Sequence, residues 1–361
     1  MISIVLTIII IIGVTSRFYL KFTPMKSFAA FMSAVLSFVL ALSYYEVLAG
    51  FLISRGYIAQ WVQSLALLLI FFVGLLILEN LSDYVVGSNI DFGKPVKIGV
   101  AIVCGIFTGL IISGVVDIAF AIAPMGNSNP YARFKDNINV SNPSSSLIPA
   151  DSFVAGFYNL ISKGALGTGN HFDVVHADYL NQLHLNRFSA KDGAAIVASK
   201  DAAYVEKFGV KKMELPGGLE RTVIELNVSG KEIKDGGAKD GKNKVSFSLA
   251  QARLLCVPAG KPELTGKNIK ILYPEKYLIK GRPVKESVKL SEVIDFDRKS
   301  LDGQVARVTL AFNIPENLTP MYLQFKANNV IKLPKLVTQE DIDAAAEEAA
   351  NNPKPEENKQ N

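Results

Sequence analysis

Apolar positions are distributed unevenly along the chain, and the unevenness predicts its architecture. Four segments, about residues 2–14, 27–53, 62–78 and 96–123, are almost wholly apolar. Each except the first approaches or exceeds the roughly 20 residues that a helix needs to cross the hydrocarbon layer. The first is short, but its Ile, Leu and Val are nearly unbroken. No basic residue precedes it and no small-residue cleavage site follows before Arg17, so it reads as a retained helix and not as a cleaved signal.

Beyond residue 126 the pattern shortens. Residues 127–148 are rich in Asn, Ser and Pro, including Ser144, Ser145 and Ser146, and read as a linker. Asp151 is placed to cap a short helix to Ile161, with Phe153, Phe157, Leu160 and Ile161 on one side. A glycine-rich turn at 164–169 leads to a second helical stretch at about 174–185. From Arg221 the period becomes that of strands: 221–228, 245–249, 253–257, 269–273, 287–290, 305–312, 321–326 and 331–333. Asp235-Gly236-Gly237 and Pro315-Glu316-Asn317 supply turns between them. Short strands with frequent turns predict a β-sandwich. The closing strand, proline turn and Tyr322-Leu323-Gln324-Phe325 resemble the last hairpin of immunoglobulin-like bacterial extracytoplasmic modules. The predicted fold class is therefore four transmembrane helices followed by a mainly-β soluble domain, an immunoglobulin-like β-sandwich with short helices before it. The corresponding boundaries are a membrane domain at 1–125, a linker at 126–149, a helical connecting region at 150–214, the sandwich at 215–337 and an acidic tail at 338–361, disordered beyond about 351.

Charge sharpens this division. The whole chain is 49% hydrophobic and 20% charged, with a mean hydropathy of +0.26 and a net charge of +5. Residues 1–125 hold six Lys/Arg and five Asp/Glu, residues 126–337 hold 30 and 21, and the tail holds two and seven. One soluble domain and a transporter occupying the whole chain are both excluded. Basic residues also set the expected orientation. Arg17, Lys21 and Lys26 lie in the first loop and Lys94 and Lys97 at the third, against Arg55 alone in the second. Loops one and three are thus expected in the cytoplasm, with both termini and the soluble domain outside.

Few positions carry candidate chemistry. Glu46 and Asp117 are the acids embedded in the helices, at similar expected depth. They read either as a proton or cation site between helices two and four or as interfacial acids hydrogen-bonded to water. Glu79 and Asp83 read as solvated loop acids. Gly105 and Gly109, continued at the same spacing by Ser113 and Asp117, mark a helix-packing face, as do Ala30 and Ala34 on helix two. A substrate path along these faces is the alternative. His171, Asp173 and His176 form a polar cluster with zinc-type residues, but their spacing matches no zinc motif, and polar faces of a short helix account for them. Cys104 and Cys256 read as buried small apolar residues. No cofactor and no nucleic-acid partner are expected. The lysines between Lys231 and Lys244 alternate with Asp and Gly, either as a solvated hairpin or as a contact for anionic envelope polymer or lipid headgroups.

The short-looped four-helix pattern, the basic first loop, Tyr44-Tyr45 and the glycine-spaced stretch 99–114 resemble the colicin V production protein (CvpA) family over about residues 1–125. The first loop departs from that family: Arg17-Phe18-Tyr19-Leu20-Lys21 lacks its usual glycine and following acid. The resemblance implies a bacterial inner-membrane protein tied to toxin production or export or to envelope homeostasis; with no catalytic signature in the chain, a non-enzymatic protein is expected, with envelope proteins or copies of itself as partners. It brings no catalytic residues. The alternatives are a channel or transporter subunit using Glu46 and Asp117, and a membrane-anchored hydrolase. Some relatives carry a trypsin-like protease, but no Gly-Asp-Ser-Gly-Gly segment exists here.

Overall fold

A computed structural model describes residues 2–55, 60–85, 93–163, 172, 176–199, 201–215, 218–229, 244–260, 268–279, 288–297, 299, 301, 305–327 and 329–336. Four N-terminal helices are long and apolar enough to span a membrane: α1 (Ile2–Lys21), α2 (Pro24–Ser54), α3 (Val62–Val85) and α4 (Lys94–Ile122). Their outward residues are apolar, among them Ile9 and Ile12, Leu36 and Leu40, Leu65 and Leu69, and Val103 and Phe107. Such surfaces suit lipid and not water. The turn between α1 and α2 is sharp because Thr23 caps α2 and Pro24 fills its first position.

The small-residue face of α4 meets α1. A methyl group added at Gly105 would fall 2.7 Å from the Thr15 Cα, and one at Gly109 would fall 2.7 Å from the Ile11 Cα. Ser3 Oγ donates to Asp117 Oδ2 at 2.7 Å, two four-residue steps further along the same ladder. Ser3, Thr7, Ile11 and Thr15 on α1 thus run antiparallel to Gly105, Gly109, Ser113 and Asp117 on α4, both at four-residue spacing. Ser113 is buried and its hydroxyl bonds back to the Leu110 carbonyl. On α2, Ala34 joins the main membrane core, and Ala30 packs with Phe18, Ala101 and Cys104. At the far end Arg17 pairs with Glu79 at 2.5 Å and Lys26 with Asp83 at 3.1 Å. Glu79 and Asp83 are therefore helical residues of α3 that hold the first loop, a correction to their reading as solvated loop acids.

The segment read as a linker packs onto the other end, burying Tyr131, Phe134 and Ser146. Helices α5 (Ala150–Lys163) and α6 (Tyr179–Phe188) follow. Eleven strands follow among the described residues: β1 (Ala203–Tyr204), β2 (Val210–Leu215), β3 (Leu219–Ser229), β4 (Lys244–Ser248), β5 (Ala252–Pro258), β6 (Lys270–Leu272), β7 (Lys276–Leu278), β8 (Val293–Asp297), β9 (Val305–Phe312), β10 (Leu318–Phe325) and β11 (Asn329–Lys332). One sheet runs β1-β3-β9-β7 with β2 also on β3, a second runs β11-β10-β5-β6, and β4 pairs β8. Every pairing is antiparallel. Ile224, Leu226, Val308 and Leu310 from the first sheet, Leu254 and Leu323 from the second and Phe247 and Phe296 from the pair share one core. The β region begins at Ala203, so β1 and nearly all of β2 fall within 150–214, which the sequence assigned to helical connection. Residues 288–290 are not a strand. The tail from residue 337 lies outside the described residues.

Candidate functional site

The polar residues of the bundle set a depth scale. Lys21, Lys26, Asp83 and Lys97 mark one end. Counting the roughly 20 residues of a bilayer crossing towards the other end reaches the start of α1, Glu46, Gln63 and Asp117. Those residues form a polar belt at the end where the β-rich region sits. Glu46 and Asp117 therefore lie at one level of the bundle, at its end nearest the β-rich region. The two acids share no hydrogen-bond partner: Asp117 is held by Ser3, and Glu46 by Tyr45 and His176.

Glu46 begins a polar chain that leaves the membrane. Tyr45 donates to Glu46 Oε1 at 2.8 Å, and His176 Nε2 lies 3.4 Å from the same oxygen. His176 Nδ1 lies 3.1 Å from Gln182 Oε1 on α6. Gln182 Nε2 donates to the Ala327 carbonyl at 2.9 Å, which fixes the amide so that its oxygen faces the imidazole. Nδ1 then donates to the Gln182 oxygen, and Nε2 faces the Glu46 carboxylate. The chain continues through Gln324 Nε2, which also donates to the Ala327 carbonyl, and Arg253 Nε, which donates to Gln324 Oε1 at 2.6 Å. Arg253 ends on the Ala177 carbonyl at 2.7 Å. Transmembrane helix, α6 and the β11-β10-β5-β6 sheet are joined by the Glu46–His176 contact and the hydrogen bonds that follow it. Beside them Tyr45 and Tyr179 hydroxyls meet at 3.1 Å, and Phe172 packs edge-on against Tyr158 and Tyr179.

A second anchor lies at the end of α4. Arg187 on α6 donates to the Phe120 carbonyl at 2.8 Å, to the Asn129 carbonyl, and to His184 Nδ1 at 3.2 Å. A guanidinium at the last turn of α4 meets the negative end of the helix dipole. Burial lowers Arg187 to about 10, which leaves it charged at neutral pH. A third anchor is Gln60, between α2 and α3, whose Oε1 accepts from the Ile196 amide at 2.7 Å. Tyr131 donates to Asp151 Oδ2 at 2.6 Å, and Arg133 bonds Asn181, so the segment after α4 is tied to both α5 and α6.

His184 gives the junction a pH dependence. Burial, then the charges of Arg187 and Arg133, hold its imidazole well below the ordinary range, so it is neutral in the folded chain. The unfolded chain takes up a proton below a pKa of about 6.5 that the folded chain refuses. Stability is therefore complete above that value and falls as pH drops through it, by about 1.4 kcal/mol per unit for this one group. Unfolding titrations of the detergent-solubilised protein on either side of pH 6.5 check this, with His184→Gln expected to flatten the slope. An equal slope in that variant would assign the effect elsewhere.

His171 and Asp173 lie outside the described residues, as do the lysines from Lys231 to Lys242. Among the described residues no group of three or more His, Cys, Asp or Glu is placed to hold a metal. Sequence reasoning found Glu46 and His176 but did not join them, and it missed Gln60, Gln182, Arg187 and Gln324. Their signal is weak, because each is an ordinary polar residue made distinctive only by burial. The chain matches no protein-family model, no curated protein and no solved structure.

Proposed function

We propose that the chain is a bacterial inner-membrane protein of the colicin V production type, non-enzymatic, whose helices hold a basic β-rich module at the extracytoplasmic face to bind or scaffold envelope components. The observation that carries this reading is the continuous chain from Glu46 through His176, Gln182 and the Ala327 carbonyl to Arg253. Such a chain, with Arg187 and Gln60 beside it, gives the module one fixed attitude towards the bilayer, which a tethered domain does not need. The basic residues Lys21, Lys26, Lys94 and Lys97 gather at the opposite end, and basic loops favour the cytoplasm. Two sheets closing on one core support an immunoglobulin-like sandwich, a common carrier of binding surfaces. The excess of 30 basic over 21 acidic residues at 126–337 suits an anionic partner such as wall polymer. Glu46 and Asp117 act in this reading as anchors of the junction.

The full chain in nanodiscs of zwitterionic lipid is expected to co-sediment with purified peptidoglycan carrying its anionic polymers. Binding should fall as added salt shortens the screening length from about 10 Å to about 3 Å. Absence of binding at low salt contradicts the anionic-partner reading.

A further inference from the structure

Helix α5 packs on the bundle with the wrong residues outward for a helix in water. Ala150, Val154, Tyr158 and Ser162 form its buried side. Its exposed positions are Gly156 and Leu160, the latter 70% exposed, flanked by half-buried Phe153 and Phe157 that also pack on the bundle. A helix on a soluble surface shows polar residues there. The depth of its partners gives the reason. Val154 lies against Gly114, where an added methyl would be 2.5 Å from Val154 Cγ2. Gly114 is three residues inside Asp117, about 5 Å below the polar belt. The Phe157 ring lies tilted at 5.6 Å from Phe38, eight residues inside Glu46 and about 12 Å below the belt. The Phe153 ring sits 6.1 Å from Phe107, ten residues inside Asp117 and about 15 Å down. Phe107 itself belongs to the lipid-facing surface of α4. At its other side Tyr158 bonds Ser43, only three residues inside Glu46. The helix is 14 residues long, too short to cross.

We propose that α5 is an in-plane membrane helix, its exposed Gly156 and Leu160 and the outer edges of Phe153 and Phe157 covered by the acyl chains of the leaflet nearest the β-rich region. Its axis lies about 5–10 Å below the polar belt, the depth at which amphipathic helices rest in a bilayer. The face is continuous through Phe107 with the apolar surface of the bundle, so lipid that wets α4 also wets α5. This placement is independent of which side of the membrane the module occupies. It adds a lateral foothold to the anchors at Glu46 and Arg187.

The test uses the full chain in phosphatidylcholine vesicles. Trp61 is the one native tryptophan. Leu160→Trp in a Trp61→Phe background is expected to lose about half its fluorescence or more when the acyl chains carry bromine near their headgroup end, and to resist acrylamide. Tyr204→Trp in the same background, on β1, should show the reverse. Acrylamide quenching of Leu160→Trp like that of Tyr204→Trp overturns the proposal, because water then covers the face. Protection from both quenchers overturns it too, because protein then covers the face. Should the tryptophan disturb folding, Gly156→Cys carries a nitroxide at a position with no atom within 4 Å of an added methyl. Relaxation by oxygen above relaxation by a nickel chelate supports lipid contact there; the opposite order refutes it.

Discussion

Arg187→Met is expected to loosen the β-rich region from the membrane bundle at a cost of about 3 kcal/mol. The methionine keeps the bulk and removes every hydrogen bond. The Phe120 and Asn129 carbonyls and the His184 Nδ1 then lose their shared donor in a buried site. Each orphaned buried group costs about 1–3 kcal/mol, offset in part by no longer burying a charge that burial already lowers to about 10. The last turn of α4 also loses its cation. Arg187→Lys keeps the charge but not the fork, and should recover less than half of the loss. Chemical unfolding in micelles, paired with proteolysis between α4 and α6, reads both effects. A methionine variant within about 0.5 kcal/mol of the parent would mean that Arg187 is a passenger at this junction.

Gly109→Leu and Gly105→Leu are expected to have the other large effect, about 3 kcal/mol or more each. The obstructing atoms are the Ile11 and Thr15 Cα atoms at 2.7 Å, backbone that no rotamer change can move. Helix α1 must separate from α4, and lipid offers no hydrophobic drive to bring it back. The Ser3–Asp117 bond lies on the same seam and should be lost with it. Gly99 and Gly13 provide the contrast, since an added methyl at either meets nothing within 4 Å. Gly99→Leu and Gly13→Leu should be nearly neutral. Equal sensitivity at all four positions in detergent unfolding would show that helix propensity, and not the seam, governs the response.

The four-residue stripe of Gly105, Gly109, Ser113 and Asp117 was legible because small residues stand out in a helix of Ile and Val. Its complement, Ser3, Thr7 and Thr15, has the same spacing but sits among isoleucines, where an isolated hydroxyl carries no signal. Strand β9 was read at its observed limits because Arg307, Thr309 and the apolar residues between them alternate. Strand β2, with Lys212 and Glu214 exposed and Lys211 half-buried, was read as part of a helical connection. Strand β8 hid its buried Ile294 and Phe296 among the exposed Asp295 and Asp297. The Glu46–His176 contact had no sequence signature at all, since 130 residues separate the partners and only the docking of α6 joins them. Helix α5 was read with Phe153, Phe157, Leu160 and Ile161 on one side, a pattern that does not say what that side meets. Which side of a helix faces protein and which faces lipid is a tertiary fact.

The central claim is that the β-rich region and the basic loops occupy opposite sides of one membrane, with the module outside. Tyr204 on β1 and Tyr84 at the end of α3 report the two sides, at 42% and 86% exposure. Both native cysteines, Cys104 and Cys256, are buried and contribute little background. In spheroplasts, a membrane-impermeant maleimide is predicted to label Tyr204→Cys in intact preparations and Tyr84→Cys only after permeabilisation. Labelling of Tyr84→Cys in intact spheroplasts with Tyr204→Cys protected would contradict it.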